Sequence, residues 1–302
     1  MNTDLANERP WCHPADCVCA QCNSLRDFLA SHPYADSTRR TYEDILSRIF
    51  AGSQDPAKMT APELLKLLSQ SGWGNARQCL ALAATQKYLA WKYGRSHPAL
   101  TAKIKRVQGK PQRSLSPEIA LKLLASFDPY DPKGARDLAI CSLALDTGLR
   151  ESEICRLQQA YTDLEHRILQ VIVKGGQWEA AIFGEATAMR IDRWMSFRRI
   201  ADGQGFLFTH IKTGEGLTPE GLYSIVREWG WKIGIQLSVH DLRRSMAVMG
   251  VLNGASERGL MEMGRWKSSD MIKRYTRTLR LEQLRKYLVV DNLQGENPSP
   301  LP

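Results

Sequence analysis

The sequence has no run of about 20 apolar residues, the length a membrane helix needs, so no membrane span is expected in its 302 residues. Its first residues, Met1-Asn2-Thr3-Asp4, have neither the basic nor the apolar block of a secretory leader, and a cytoplasmic location is expected. Acidic residues are in deficit. There are 32 Asp and Glu against 41 Lys and Arg, a formal net charge of +9. An excess of that sign favours a polyanionic partner, because each cation near a phosphate releases a counterion. The chain also lacks internal repeats and low-complexity tracts, which excludes solenoids and other repeat architectures. β-strand patterning is scarce. Cysteine is not arranged as a secreted disulfide framework: Cys79, Cys141 and Cys155 sit singly among apolar residues and read as reduced core cysteines.

What is present is mostly helical periodicity. Residues 1–24 form an arm with Cys12, His13, Cys17, Cys19 and Cys22 and little apolar spacing. Cys12, Cys17, Cys19 and Cys22 would suffice for one tetrahedral zinc ion, although their spacing is not that of a standard finger; the alternative is an arm with reduced thiols. From Leu25 onward the apolar residues fall at helical spacing. Ser37-Thr38 reads as a helix start before Tyr42, Ile45, Leu46 and Ile49. Thr60-Ala61-Pro62-Glu63 combines a cap, an early proline and a glutamate three residues on. Residues 25–108 are therefore expected to be an all-helical domain of about four helices. The stretch 103–113, KIKRVQGKPQR, has a single sign of charge and reads as a basic linker that would lie along phosphates.

Residues 109–288 read as a second domain. Helix patterns open at Ser116-Pro117-Glu118 and Arg136-Asp137, and the turn Asp146-Thr147-Gly148 precedes another at Arg150. Residues 167–173 and 178–183 flank Gly175-Gly176 and form the one clear strand pair. Helices resume near 185–200, 218–232, 240–253, 256–263 and 268–280. The fold class is thus mainly α with a small antiparallel sheet, followed by a disordered tail at 289–302.

Four segments carry groups suited to a phosphodiester. Arg150 follows a glycine turn at a helix start, and Glu153 lies one turn on, placed to hold it. Lys174 sits at a β-turn tip. His240 and Arg243 are three residues apart on one helical face. Trp266 precedes Tyr275 by nine residues. A phosphorane transition state needs fixed guanidinium donors, and a nucleophile and an acid complete the chemistry. Each piece alone reads equally well as a surface turn, a solvated lysine, a buried histidine or an amphipathic tyrosine; order and spacing together are more specific.

The ordered set Arg150, Lys174, His240, Arg243, Trp266 and Tyr275 resembles the tyrosine recombinase (phage integrase) family, in its two-domain Cre/Xer-like form. Residues 145–154, LDTGLRESEI, match that family's first-arginine box. His240-Asp241-Leu242-Arg243-Arg244-Ser245 matches the second. Gly264 through Tyr275 matches the third, with Trp266 where most members have histidine. Ser37-Thr38-Arg39-x-x-Tyr42 is similar to the first helix of its core-binding domain. The stretch after Lys174 departs from the family's usual basic residue and Val-Pro pattern. No arm-binding domain of the lambda type is expected ahead of the core-binding helices.

The resemblance implies a DNA breaking-rejoining enzyme fold closed as a C-shaped clamp. Arg150 and Arg243 would hold the non-bridging oxygens, and Lys174 would protonate the 5′ oxygen. His240 would act as acid/base, and Trp266 would contact the phosphate. Tyr275 would form a 3′-phosphotyrosine, with Glu153 supporting Arg150. Storage of the bond energy in that link removes any need for a cofactor. The partners implied are double-stranded DNA with inverted-repeat core sites and further copies of the chain, as a tetramer on two sites in the nucleoid. Arg39, Lys103, Lys105, Arg106, Lys110 and Arg244 are the expected phosphate contacts. A type IB topoisomerase and a non-catalytic DNA-binding protein are the competing readings. The latter would be expected to lack at least one of the six catalytic positions.

Overall fold

The computed structural model describes residues 20–51, 53, 55–107, 113–173, 175–201, 203, 205–276 and 279. The chain divides into two compact units, 1–109 and 110–302. The arm residues Cys12, His13, Cys17 and Cys19, the linker residue Lys110, the turn residue Lys174, and nearly all of the post-Tyr275 segment and tail lie outside the described residues.

The first unit packs four helices: α1 (Ala20–Ala30), α2 (Asp36–Ala51), α3 (Ala61–Gln70) and α4 (Asn75–Tyr93). The apolar stripe of α2 buries Tyr42, Ile45, Leu46, Ile49 and Phe50. They meet Phe28 of α1 and Tyr88 and Leu89 of α4 in one core. Each such side chain stabilises the unit by about 1.5–3 kcal/mol through area removed from water. Helix α1 begins at Ala20, five residues before the first apolar stripe, and Cys22 is buried in it. Among the described residues no group of three metal-ligating side chains is assembled. Thr60 caps α3 by accepting from the Glu63 amide at 3.4 Å.

The segment after α4 is not loose. Gln86 donates to the carbonyls of Leu100 and Ala102 at 3.0 and 2.9 Å. Asn75 donates to the Lys105 carbonyl at 3.0 Å and accepts from the Val107 amide at 2.8 Å. Residues 100–107 therefore run back along α4, with Lys103, Lys105 and Arg106 exposed. The first half of the basic linker is thus held to α4 by Asn75, with Gln86 fixing the residues just before it.

The second unit is built around α6 (Pro132–Thr147), buried almost continuously from Ala135 to Ala144. α5 (Pro117–Ala125) precedes it. α7 (Glu151–Ile154), α8 (Glu185–Phe197), α9 (Pro219–Ile233), α10 (Val239–Leu252), α11 (Glu257–Gly264) and α12 (Asp270–Tyr275) follow. α8 and α10 pack directly on α6. The sheet is three-stranded and antiparallel: β1 (Thr162–Asp163), β2 (Ile168–Ile172) and β3 (Trp178–Ile182). Ile168 pairs with Ile182 and Ile172 with Trp178, a register that turns Leu169, Val171 and Ala181 into the core. Gly175 and Gly176 make the turn with φ of 98° and 77°, a region open to glycine without steric cost.

Several helix boundaries differ from their sequence reading; the helix expected over 268–280 is α12, Asp270–Tyr275, with Thr276 as its cap. α6 starts at Pro132, four residues before Arg136, because Asp131 caps it by accepting from the Gly134 amide at 2.9 Å. α8 stops at Phe197, where the Arg198 side chain turns to the Phe206 carbonyl at 2.6 Å. Arg136 and Asp137 form a buried ion pair at 2.7 Å, and Trp229 donates to the other carboxylate oxygen of Asp137 at 2.8 Å. Among the described residues no helix is long and apolar enough to cross a membrane.

Candidate active site

The site begins where α6 ends. Gly148 closes that helix in the left-handed region, φ 58°, and a Cβ there would come within 2.5 Å of the Met246 methyl. A side chain at this position would be strained by the backbone angle and would have to displace that methyl, which favours glycine in a tight turn against α10. Two residues on, Arg150 caps α7. Glu153 holds it twice: one carboxylate oxygen accepts from the Arg150 amide at 2.9 Å, the other from its guanidinium at 2.5 Å. The Glu153 side chain is 3% exposed and that of Arg150 43%, so a fixed carboxylate aims a cation that still reaches solvent.

α10 supplies the second segment. Ser238 accepts from the Asp241 amide, and Asp241 accepts from the Ser238 amide at 2.9 Å, a reciprocal cap that fixes the first turn. His240 stands on that turn with an exposed edge, and Arg243 one turn later is buried. The Arg243 guanidinium donates to the carbonyl of Gly148 and, at 2.5 Å, to that of Gly264. It also lies 4.7 Å from the Trp266 ring centre, in cation–π contact. Burial, with repulsion from Arg150 and Arg265, pushes its pKa down to about 10, which still leaves it charged at neutral pH.

α11, α12 and the turn between them close the site. Trp266 and Tyr275 are buried beside Met246, Leu260 and Ile272 in a small core of their own. Their rings meet edge to face at 6.0 Å. A side chain at Gly264 would collide with the Trp266 ring, which explains the glycine. The Tyr275 hydroxyl lies 3.4 Å from Nε2 of His240. Partial burial of the imidazole and the neighbouring Arg244 and Arg243 cations hold the His240 pKa below the usual histidine range. A neutral His240 can accept a proton from the phenol.

The structure thus gathers Arg150, Glu153, His240, Arg243, Trp266 and Tyr275. Three guanidinium groups and a phenol share one region, and a cleft of about 400 Å³ opens beside Arg150, Val173, Trp266 and Ser268. Val173 immediately precedes Lys174, which itself lies outside the described residues. Arg244 is not turned out to solvent. Its side chain is 13% exposed, pairs with Asp241 at 2.9 Å and lies 5.8 Å from the Tyr275 ring centre. Arg39 is exposed on α2 of the first unit, as are Lys103, Lys105 and Arg106 on the segment after α4.

Two contributors had no clear signal in sequence. Asp146 accepts from the Gly184 amide at 2.9 Å and from the Thr187 hydroxyl at 2.6 Å, so a residue of the first-arginine box caps α8. Arg265 is buried with its guanidinium 3.7 Å from Glu153. Its place between Gly264 and Trp266 was the only hint.

The family model described as phage integrase family matches residues 113–281. Among curated relatives, the tyrosine recombinase XerA of Pyrococcus furiosus is 28% identical over 244 residues, 80% of this chain and 83% of the relative. The tyrosine recombinase XerA of Pyrococcus horikoshii is 26% identical over 230 residues, 75% and 78% of the two chains. In fold, the chain is similar to the XerH site-specific recombinase bound to difH substrate, post-cleavage, with a TM-score of 0.69 at 18% identity over 84% of this chain and 80% of that one. A lambda integrase dimer bound to a COC′ core site gives a TM-score of 0.68 at 17% identity over 84% and 94%.

Proposed function

This chain belongs to the phage integrase family and is a site-specific tyrosine recombinase, an enzyme that cleaves and rejoins DNA; from that premise we propose that Tyr275 is its nucleophile and that Arg150 and Arg243 clamp the scissile phosphate. The observation that carries the reading is the hydroxyl of the buried Tyr275, 3.4 Å from a histidine whose pKa is held low, beside guanidinium groups held by Glu153 and by backbone carbonyls. The Tyr275 oxygen forms a bond to phosphorus as its proton passes to Nε2 of His240. The bond from phosphorus to the 5′ oxygen breaks, and Lys174 supplies the proton that oxygen takes up. A 3′-phosphotyrosine results, and a 5′ hydroxyl from another strand reverses the step. Arg150 and Arg243 stabilise the charge on the non-bridging oxygens, and Trp266 donates from its indole and packs the site. The chain's own side chains supply every proton and charge in this scheme.

Residues 25–108, with the basic linker 103–113, are assigned to core-type DNA binding and 109–288 to catalysis. Arg39, Lys103, Lys105, Arg106 and Lys110 contact phosphates of an inverted-repeat core site, and Arg244 packs beside the nucleophile. The protein works in the cytoplasm. The N-terminal cysteines remain candidates for a structural zinc ion. A nicked suicide substrate, which loses the cleaved strand, tests the nucleophile. The covalent adduct is expected to map to the peptide containing Tyr275; an adduct mapping to another residue would overturn the assignment.

Exchange between two sites requires four protomers. Leu281, Leu284 and Leu288 fall at helical spacing just past Tyr275 and are assigned to docking on a neighbouring protomer. Truncation after Arg280 is expected to leave single-site binding intact and to abolish exchange between two labelled duplexes. Exchange at the full-length rate would rule out the docking role.

The depressed His240 pKa sets a pH dependence. At pH above it, His240 is neutral and accepts the phenol proton; below it the acceptor is lost. Single-turnover cleavage is therefore expected to fall on the acid side, with its midpoint below the ordinary histidine value and absent in His240→Asn. Because the unfolded chain binds this proton more readily than the folded one, stability also declines as pH falls through the same window. A rate midpoint above the ordinary histidine value would contradict this assignment.

A further inference from the structure

Arg265 occupies a backbone conformation that suits glycine. It follows α11 with φ 51° and ψ 48°, in the left-handed region where a side chain is strained. Helices commonly end on glycine in this conformation, so an arginine there calls for a return from its side chain. That side chain does not reach solvent; it is 3% exposed. Its guanidinium donates to the Met263 carbonyl at 3.0 Å and to the Thr147 carbonyl at 3.2 Å. One nitrogen lies 3.7 Å from the Glu153 carboxylate oxygen that accepts the Arg150 amide.

These contacts join two parts of the site. Thr147 begins the Thr147-Gly148-Leu149-Arg150 turn, and Arg265 immediately precedes Trp266. Glu153 is a buried carboxylate with a cation on each side, Arg150 at 2.5 Å and Arg265 at 3.7 Å. Removing Arg265 leaves that carboxylate with one cation and leaves the Thr147 carbonyl without this donor. The carboxylate can then rotate toward water and carry Arg150 with it.

We propose that Arg265 is a positioning residue for the reaction: it locks Glu153 and the Thr147–Arg150 turn so that the Arg150 guanidinium meets the phosphate in one orientation. In this role its guanidinium faces Glu153 and the Thr147 carbonyl. The inference rests on Arg150 being a phosphate clamp, as assigned above.

The test uses the full-length protein and a suicide substrate under single-turnover conditions, at saturating DNA. Arg265→Gly relieves the backbone strain but strands the Met263 and Thr147 carbonyls and removes a cation from beside Glu153, so its melting temperature is expected to fall by less than that of Arg243→Ala. Its cleavage rate is expected to fall about 10- to 100-fold, the scale for losing a group that orients a site ligand, with DNA affinity little changed. Arg265→Lys keeps the charge and is expected to recover part of the rate. If Arg265 acts through Glu153, Arg265→Gly combined with Glu153→Gln should cleave no more slowly than Glu153→Gln alone. Two outcomes overturn the proposal: cleavage by Arg265→Gly at the unsubstituted rate, or fully additive losses in the double variant. If Arg265→Gly proves unstable, the lysine variant and the cycle built on it decide in the same way. Arg150→Ala serves as the control for the reading beneath. If it cleaves normally, the clamp assignment fails; if it is slow while Arg265→Gly is not, only the present proposal fails.

Discussion

Tyr275→Phe is expected to form no covalent adduct with a suicide substrate while binding the same DNA as tightly as the unsubstituted chain. The substitution removes one oxygen and nothing else. The ring of Tyr275 is buried against Trp266 and Ile272, and phenylalanine keeps that packing. Only the 3.4 Å approach of the hydroxyl to His240 disappears. That distance is long for a hydrogen bond, so the change in stability is expected to stay under about 1 kcal/mol. The chemical effect is total, because without the phenol no atom in the site can take the phosphoryl group. A denaturing gel reads the result. Adduct formation by Tyr275→Phe at any appreciable rate would remove Tyr275 from the mechanism.

Arg243→Ala should slow cleavage by at least about 10²-fold, the loss expected when one transition-state donor is removed. It should also destabilise the fold, and here the two clamp arginines part company. Arg243 is 2% exposed and bonds the carbonyls of Gly148 and Gly264, so alanine strands two buried acceptors and opens a void beneath Trp266. Each stranded acceptor costs about 1–3 kcal/mol, and recovery of the guanidinium's own burial penalty offsets part of that; a net loss of about 2–4 kcal/mol follows. The Arg150 guanidinium is half exposed and, among the described residues, bonds Glu153. Arg150→Ala should match the catalytic loss with little change in melting temperature. Equal stability losses for the two variants, or cleavage losses no larger than the losses in DNA affinity, would count against this division.

Much of this site was legible in sequence because its parts are local. A helix cap, a glycine turn and a three-residue spacing each determine where a side chain points within one turn of chain. Ser116, Thr60 and Thr218 cap the helices that follow them for that reason. Where a cap competes with weak helix formers, the local signal fails. Gly134, a poor helix former in the first turn, hid the start of α6, although Asp131-Pro132 is a sound cap and first-turn pair. β1 is two residues long, too short for any alternation to show. Arg265 was illegible for a different reason. Its importance comes from a left-handed backbone angle and from Glu153, 112 positions away in the chain, and neither has a local signature. Asp146 likewise reads as a turn residue and acts as the cap of a helix 38 positions on.

The two cysteines of the second unit bear on how this protein can be handled. Cys141 is fully buried in α6 and Cys155 nearly so, and burial pushes the Cys155 thiol up to about 12 and that of Cys141 higher still. Neither forms appreciable thiolate at neutral pH, so both are expected to react slowly with an alkylating probe. The second unit therefore presents thiols of low reactivity. A cysteine engineered at the exposed Ile182 of β3 would be the fast-reacting thiol of this unit once Cys79 and the N-terminal cysteines are replaced. A fluorophore there would report on the environment of the sheet on DNA binding while the native cysteines of the second unit's core stay in place.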